Sequence, residues 1–440
     1  MSEQKQKGNV VAIIMMIFLF GMISFVTNLA APMGVVLKAQ FNVGSAMGML
    51  GNMANFIAYA VMGIPAGLLL QRMGYKKTAL IAIAVGFIGV FIQFLSGHAS
   101  ATSAFGVYLL GAFIAGFSMC LLNTVVNPML NTLGGGGNKG NQLIQVGGSF
   151  NSVMATFTPA FVGILIGEAS KATISDIFPV MYIAMGVFGL VFFVLWAVSI
   201  PEPHAERSSE PLGSLMAGAV KFRHFMLGAV GIFVYVGVEV GTPGTLILWL
   251  SDANDPSYVG ATTAGFVAGT YWFLMLIGRL IGASIGGKVS SKIMLTVGSA
   301  LALILVTLAI VLPSTSEMSL PVLQKSDAGA LSFGLAEVPI NAMFLVLVGL
   351  CTSIMWGGIF NLAVEGLGKY LAAASGIFMV LVCGGGILPW IQAMVADGVL
   401  LKFLGGGYQI SYLVVLAGFA YLLFYALVGS KNVNKDIPVD

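Results

Sequence analysis

Twelve stretches of about 20 predominantly apolar residues run through this chain, at approximately 10–31, 45–70, 78–97, 104–131, 146–166, 177–199, 224–249, 261–286, 292–312, 339–364, 370–396 and 408–429. Each is long enough to cross a hydrocarbon layer of about 30 Å. A backbone that enters hydrocarbon must satisfy its own N–H and C=O groups, so each stretch has to be a helix. Apolar residues make up 58% of the chain and charged ones 8%, against roughly 25% charged in a soluble domain, which excludes an ordinary soluble fold. The expected class is an all-α polytopic membrane protein of twelve transmembrane helices.

The connections alternate in charge, which checks the count. Lys5, Lys7, Arg72, Lys76, Lys77, Lys139, Arg207, Lys221, Arg223, Arg279, Lys288, Lys292, Lys369, Lys431 and Lys435 fall on one side; Lys38, Lys171, Lys325 and Lys402 share the other with most of the acids. Lys and Arg concentrate on the cytoplasmic face, so both termini are expected there. The longest connection on that side, Pro201 to Phe225, divides the helices six and six. The expected domains are residues 1–200, a linker 201–223, and residues 224–440, with binding between two related halves that rock against each other. The outer connection Pro313 to Pro339 is mostly polar, shows no clear periodicity and receives no function.

Several chemistries lack support. A net charge of +3 gives no basis for nucleic-acid binding, and Cys120, Cys351 and Cys383 lie singly inside apolar runs with no metal or disulfide spacing. GGGGNKGN at 134–141 lacks the GK[ST] ending and preceding strand of a phosphate loop. No nucleophile, acid and base set assembles around His98, His204 and His224, so neither an enzyme nor a cofactor or metal site is expected.

What remains is polar chemistry inside the spans. Glu239 is the one acid well within a predicted helix, about 20–25 Å from its cytoplasmic end at a rise of 1.5 Å per residue. An intramembrane carboxyl of this kind is a candidate proton carrier or a structural group satisfied by neighbouring amides. Asn28, Asn52, Asn55, Asn123, Asn127, Asn151, Asn361 and Gln392 form a second set, accompanied by Tyr235, Tyr271, Trp272, Trp356 and Trp390. Amides that donate and accept, beside flat aromatic faces, suit a neutral polyhydroxylated solute, although any single asparagine could equally bond a neighbouring helix. Arg279, near the cytoplasmic end of its helix, reads as a gate or packing residue partnered by Glu365.

These segments resemble the major facilitator superfamily, and within it the fucose permease family of sugar symporters. Gly67 to Lys77, including Arg72 and Lys76, is similar to the superfamily's helix 2–3 loop motif, with Gln71 where an aspartate is usual. GIPAGLLLQRMGYK, NTVVNP, GGSFNS, YVGVEVG, AGTYWFLMLIGR, IFNLAVEGLGK and VCGGGILP follow in the family's order. The resemblance implies alternating-access uptake of a monosaccharide with protons, or sodium in some relatives, in a bacterial cytoplasmic membrane, with a monomer sufficient. It also places Ala31 and Asn123 where fucose transporters carry acids, which leaves Glu239 to couple a proton and keeps facilitated diffusion open. An exporter of amphiphiles, suited by the chain's 24 methionines, is the more distant alternative.

Overall fold

The computed structural model describes residues 3–100, 102–133, 137–166, 172–200, 212–285, 289–325, 331–434 and 436–437. Its long helices are α1 (Glu3–Phe41), α2 (Leu50–Leu70), α3 (Arg72–Ser96), α4 (Ala104–Leu133), α5 (Gly137–Ile166), α6 (Phe178–Ala197), α7 (Arg223–Leu250), α8 (Ala261–Ile285), α9 (Ser291–Val311), α10 (Ile340–Val364), α11 (Ala373–Ala396) and α12 (Tyr408–Gly429). All but α5 qualify as spans by length and apolarity, and α5, with 30 residues, is long enough at about 45 Å. Expected and observed helices agree in order and nearly in position.

Three segments depart from expectation. Helices α2 and α3 run on as one element, kinked at Gly74, whose φ of 80° lies in the region glycine enters without steric cost. Residues 137–141 open helix α5 instead of lying in a loop, while 134–136 and 201–211 lie outside the described residues. Within 313–339, where no periodicity was expected, β1 (Glu317–Lys325) and β2 (Leu331–Pro339) pair antiparallel, with Leu320 opposite Ala336 and Val322 opposite Gly334, while 326–330 lie outside the described residues. Leu320, Val322, Ala336 and Val338 are buried on the inner face of this hairpin, a period of two that Pro321 and Gly334 break up in the sequence.

Helices α1, α3, α4, α5 and α6 pack among themselves, as do α7 to α12, and the two groups meet along α1–α7, α2–α11 and α5–α8. Small residues make the α2–α11 seam possible. A Cβ on Gly386 would lie 2.9 Å from the Cα of Met53, and one on Gly63 would lie 2.9 Å from the backbone nitrogen of Val380. Helix α11 is interrupted at Val382–Cys383, just before Gly384–Gly386, and α10 at Ser353–Ile354. Discontinuous helices expose backbone groups at depth and are tolerated where protein or a polar cavity receives them.

We refer to the two ends of the molecule as the terminal end, where α1 starts and α12 finishes, and the hairpin end. At the hairpin end the groups are joined. Toward the terminal end, α4 and α10 form no comparable interface, Gly357 faces open space and Asn361 is exposed. The two groups are therefore joined at the hairpin end, stay in contact along α2–α11 and α5–α8 toward the terminal end, and part there between α4 and α10.

Candidate functional site

The polar centre of the second helix group is built at the break in α10. Because the helix stops at Thr352, the carbonyl there has no continuing turn to serve, and the Tyr235 hydroxyl of α7 donates to it at 3.2 Å. The Tyr271 hydroxyl of α8 meets Thr352 Oγ1 at 3.0 Å. Around this knot, the Tyr235 ring lies 6.2 Å from that of Trp356, and Tyr271 lies 5.2 Å from Trp272, both edge to face.

One turn beyond Tyr235, Glu239 Oε1 lies 3.7 Å from Nη2 of Arg279, with both side chains largely buried. Counted along their helices, the two residues sit at different depths. Side chains in a helix lean toward its N-terminus, however, and α7 and α8 run in opposite directions, so the long arms lean toward each other. Arg279 also donates from Nη1 to the Gly148 carbonyl at 2.6 Å and to Ser152 Oγ at 2.8 Å, both on α5. One guanidinium thus ties the intramembrane acid of one helix group to the backbone of the other. The sequence-based partner, Glu365, is elsewhere: it is exposed, and its carbonyl is 2.9 Å from His224 Nε2. Arg279 pairs with Glu239 instead, because the two arms lean toward each other across the difference in depth.

The amides divide by use. Asn52 donates to the Gly385 carbonyl across the α2–α11 seam at 2.9 Å, Asn151 to the Phe20 carbonyl of α1 at 2.9 Å, and Asn123 to the Tyr59 hydroxyl at 2.9 Å. These are the interhelical bonds the alternative reading foresaw. Asn28 and Asn127 instead donate within their own helices, to Ser24 and Asn123 carbonyls at 2.9 and 3.0 Å, and are half-buried. Asn55 is buried beside Tyr108 and Gln93, and Trp390 is partly buried. Gln392 is buried with no hydrogen-bond partner for Nε2. Leaving such a donor unpaired costs about 1–3 kcal/mol. Gln392→Leu is therefore expected to raise the thermal midpoint in detergent, and a lowered midpoint would show that the amide contributes to the fold.

Around the kink that joins α2 and α3, Arg72 is exposed, while Lys76 Nζ donates to the carbonyls of Trp196 and Val198 at 2.9 and 2.6 Å. Lys76 thus caps the last turn of α6, where a cation suits the helix dipole.

A cluster that sequence reasoning did not single out closes the hairpin end. Lys38 Nζ of α1 lies 2.6 Å from Asp252 Oδ2, just past α7, and 2.6 Å from the Tyr408 hydroxyl of α12; Tyr408 also donates to Asp252 at 2.9 Å. Asp397 accepts the Ser45 and Ala46 N–H groups at 2.8 and 2.7 Å. The available signal was Lys38 itself, an isolated lysine on the acid-rich side. Burial opposes ionisation of Asp252, but hydrogen bonds from Lys38, the Asn254 backbone and Tyr408 outweigh it and hold the carboxyl below its usual value of about 3.9. A depressed carboxyl stabilises at pH above its unfolded value and loses that contribution as pH falls through its folded one, so this latch stays charged throughout the neutral range. Asp252→Asn is expected to cost the closed end about 1.5–3 kcal/mol. A cysteine replacing the buried Thr245, about two turns below, should then label faster from the hairpin side; unchanged labelling would remove the latch assignment.

Two packed helix groups, discontinuous helices and a largely buried Glu239–Arg279 pair bridging the groups fit a membrane transporter. Residues 13–389 match the model of the Major Facilitator Superfamily, and the chain belongs to that family. It is 29% identical to a glucose/galactose transporter of Brucella abortus, over 98% of this chain and 96% of that protein. It is 20% identical to an L-fucose-proton symporter of Escherichia coli, over 87% and 84%. The crystal structure of the E. coli fucose:proton symporter superposes with a TM-score of 0.66 at 18% identity, covering 96% of this chain and 100% of that one. These relatives are bacterial transporters, not enzymes, consistent with a place in the cytoplasmic membrane.

Proposed function

We propose that this protein imports a neutral monosaccharide or sugar derivative by alternating access, coupled to protons through Glu239, with the termini in the cytoplasm and one chain sufficient. The observation that carries the coupling is the bridge from Glu239 through Arg279 to Gly148 and Ser152. While Glu239 is ionised it holds the guanidinium, and the guanidinium holds α5. A proton on Glu239 removes that attraction and frees the α5–α8 contact to shift when the halves rock, a two-state element that both proton and sugar can bias. Glucose, galactose and fucose in the names of the relatives support a sugar as the solute, as do the amides and aromatic rings around the opening. The half-buried Asn28, Asn127 and Asn151 are assigned to one side of it and Trp356 and Asn361 to the other, with Gln392 turning its unpaired amide to the sugar in the closed state.

The experiment is uptake of labelled monosaccharides into proteoliposomes under an imposed proton gradient, a sodium gradient, or neither. Concentrative uptake with the proton gradient supports symport through Glu239. Uptake that only equilibrates points to a facilitator, which Ala31 and Asn123, standing where acids occur in fucose transporters, favour as the second reading. Absence of any sugar uptake overturns both.

A further inference from the structure

Helix α5 has two working sides. Gly148, Ser152 and Thr156 face α8: the first two accept from Arg279, and a Cβ on Gly269 would lie 2.7 Å from the Thr156 carbonyl. At 3.6 residues per turn, Phe150, Met154, Phe157 and Phe161 fall on the opposite side, away from the contact between the helix groups. There they form one wall of a groove of about 340 Å³, with α1 as its floor and Ile183 and Val187 of α6 as its other wall. The groove exists because Phe178 and Phe188 seat α6 on α3, against Phe94 and over Gly86, and leave it only slight contact with α5. In the floor, a Cβ on Gly21 would lie 2.5 Å from the Phe150 ring, so the bare backbone there lets that ring rest directly on α1.

The groove offers a polar ligand nothing. Thr158 has the one side-chain hydroxyl among the lining residues, and it donates to the Met154 carbonyl of its own helix at 2.6 Å. An apolar cavity of about 150 Å³ already stays dry and takes up apolar molecules, and this one is more than twice as large. Its mouth opens sideways. Phe18, Phe157 and Ile183 are each 42% exposed; on α1 the same stripe continues to Ile14, 59% exposed, and on α6 through Val187 to Leu190, 65% exposed. Both helices are apolar enough to cross the membrane, so these stripes meet hydrocarbon and the groove is continuous with it. From Phe150 to Ile164 it follows α5 for about 21 Å, against about 15 Å for the hydrocarbon of one leaflet.

We infer that this groove holds one acyl chain of a membrane lipid, lying along α5. Its direction matches that of the chains around it, and it is long enough for one of them. An empty groove would leave its lining without contacts on one side, so the chain also braces α6 against α5, which touch little directly.

The full chain is reconstituted into vesicles of phosphatidylethanolamine and phosphatidylglycerol containing a trace of phosphatidylethanolamine with a diazirine halfway along one acyl chain, and irradiation followed by peptide mass spectrometry locates the adducts. The comparison is with Leu301 and Ile304 of α9, which at 49% and 57% are more exposed than any rim residue of the groove. Adducts on Phe157, Phe161 and Ile183 are expected to exceed those on α9 several-fold. Val187→Phe adds bulk to the wall and should lower the groove adducts several-fold while leaving those on α9 unchanged. Adducts that follow exposure alone, or that Val187→Phe does not reduce, would overturn the inference and leave the groove to unselective boundary lipid or to a second copy of the chain.

Discussion

Replacing Glu239 with glutamine is expected to abolish sugar accumulation driven by a proton gradient while exchange of sugar across the same membrane continues. Glutamine keeps the size and the hydrogen-bonding oxygen that faces Arg279 but cannot carry a proton across the cycle. Arg279 retains the Gly148 carbonyl and Ser152 as acceptors, so the α5–α8 contact survives in weakened form. Counterflow and gradient-driven uptake, measured in one preparation, separate the two properties. Accumulation that persists in Glu239→Gln would remove Glu239 as the coupling group, whereas loss of both activities would make it a structural or sugar-binding residue. The latch at Lys38 and Asp252 gives a useful contrast: its carboxyl is held ionised well below neutral pH, so it does not compete with Glu239 to explain pH dependence between about 5 and 8.

The second large effect belongs to Arg279. Arg279→Ala leaves the Glu239 carboxylate in a water-poor interior with its countercharge removed, and it deletes both donors to α5. Breaking a buried ion pair from one side costs about 3–5 kcal/mol, which should appear as a marked fall in the thermal midpoint in detergent together with loss of transport. The double variant Glu239→Gln, Arg279→Ala should recover much of that stability, since no unpaired charge remains, without recovering accumulation. If the double variant is as unstable as Arg279→Ala alone, the damage comes from the lost α5 contacts and the pair contributes little. Arg279→Lys should fall between, because an ammonium has the charge but lacks the planar fork that serves Glu239, Gly148 and Ser152 together.

The helices were legible because hydrocarbon imposes a length and forbids water to the backbone, so twelve apolar runs and alternating basic loops contain nearly the whole element order. The hairpin was not, since Pro321 and Gly334 interrupt an alternation only nine residues long on each strand. Among the site residues, the grouping of Tyr235, Tyr271 and Trp356 could be guessed from residue type, but not Thr352, whose carbonyl accepts from Tyr235 and whose hydroxyl meets Tyr271, the carbonyl being available because α10 breaks there. The amides of Asn28 and Asn127 turn back onto their own helices, a local choice that spacing does not reveal. The latch was least visible. Its members are separated by 214 and 370 positions, and nothing in the neighbourhood of Lys38, Asp252 or Tyr408 points to the others.

The end at which the helix groups are joined also decides how tightly a solute can bind from each side. With α4 and α10 apart and Lys38 closed on Asp252, a compound that cannot cross the membrane reaches Asn361 only from the side of the termini. From the hairpin side it must wait for the minor population in which the latch is open, and its apparent dissociation constant is the intrinsic one divided by that fraction. Sugar affinity measured from the two faces of the membrane should differ by this factor even though the contacting residues are the same, and Asp252→Asn should bring the two values closer together.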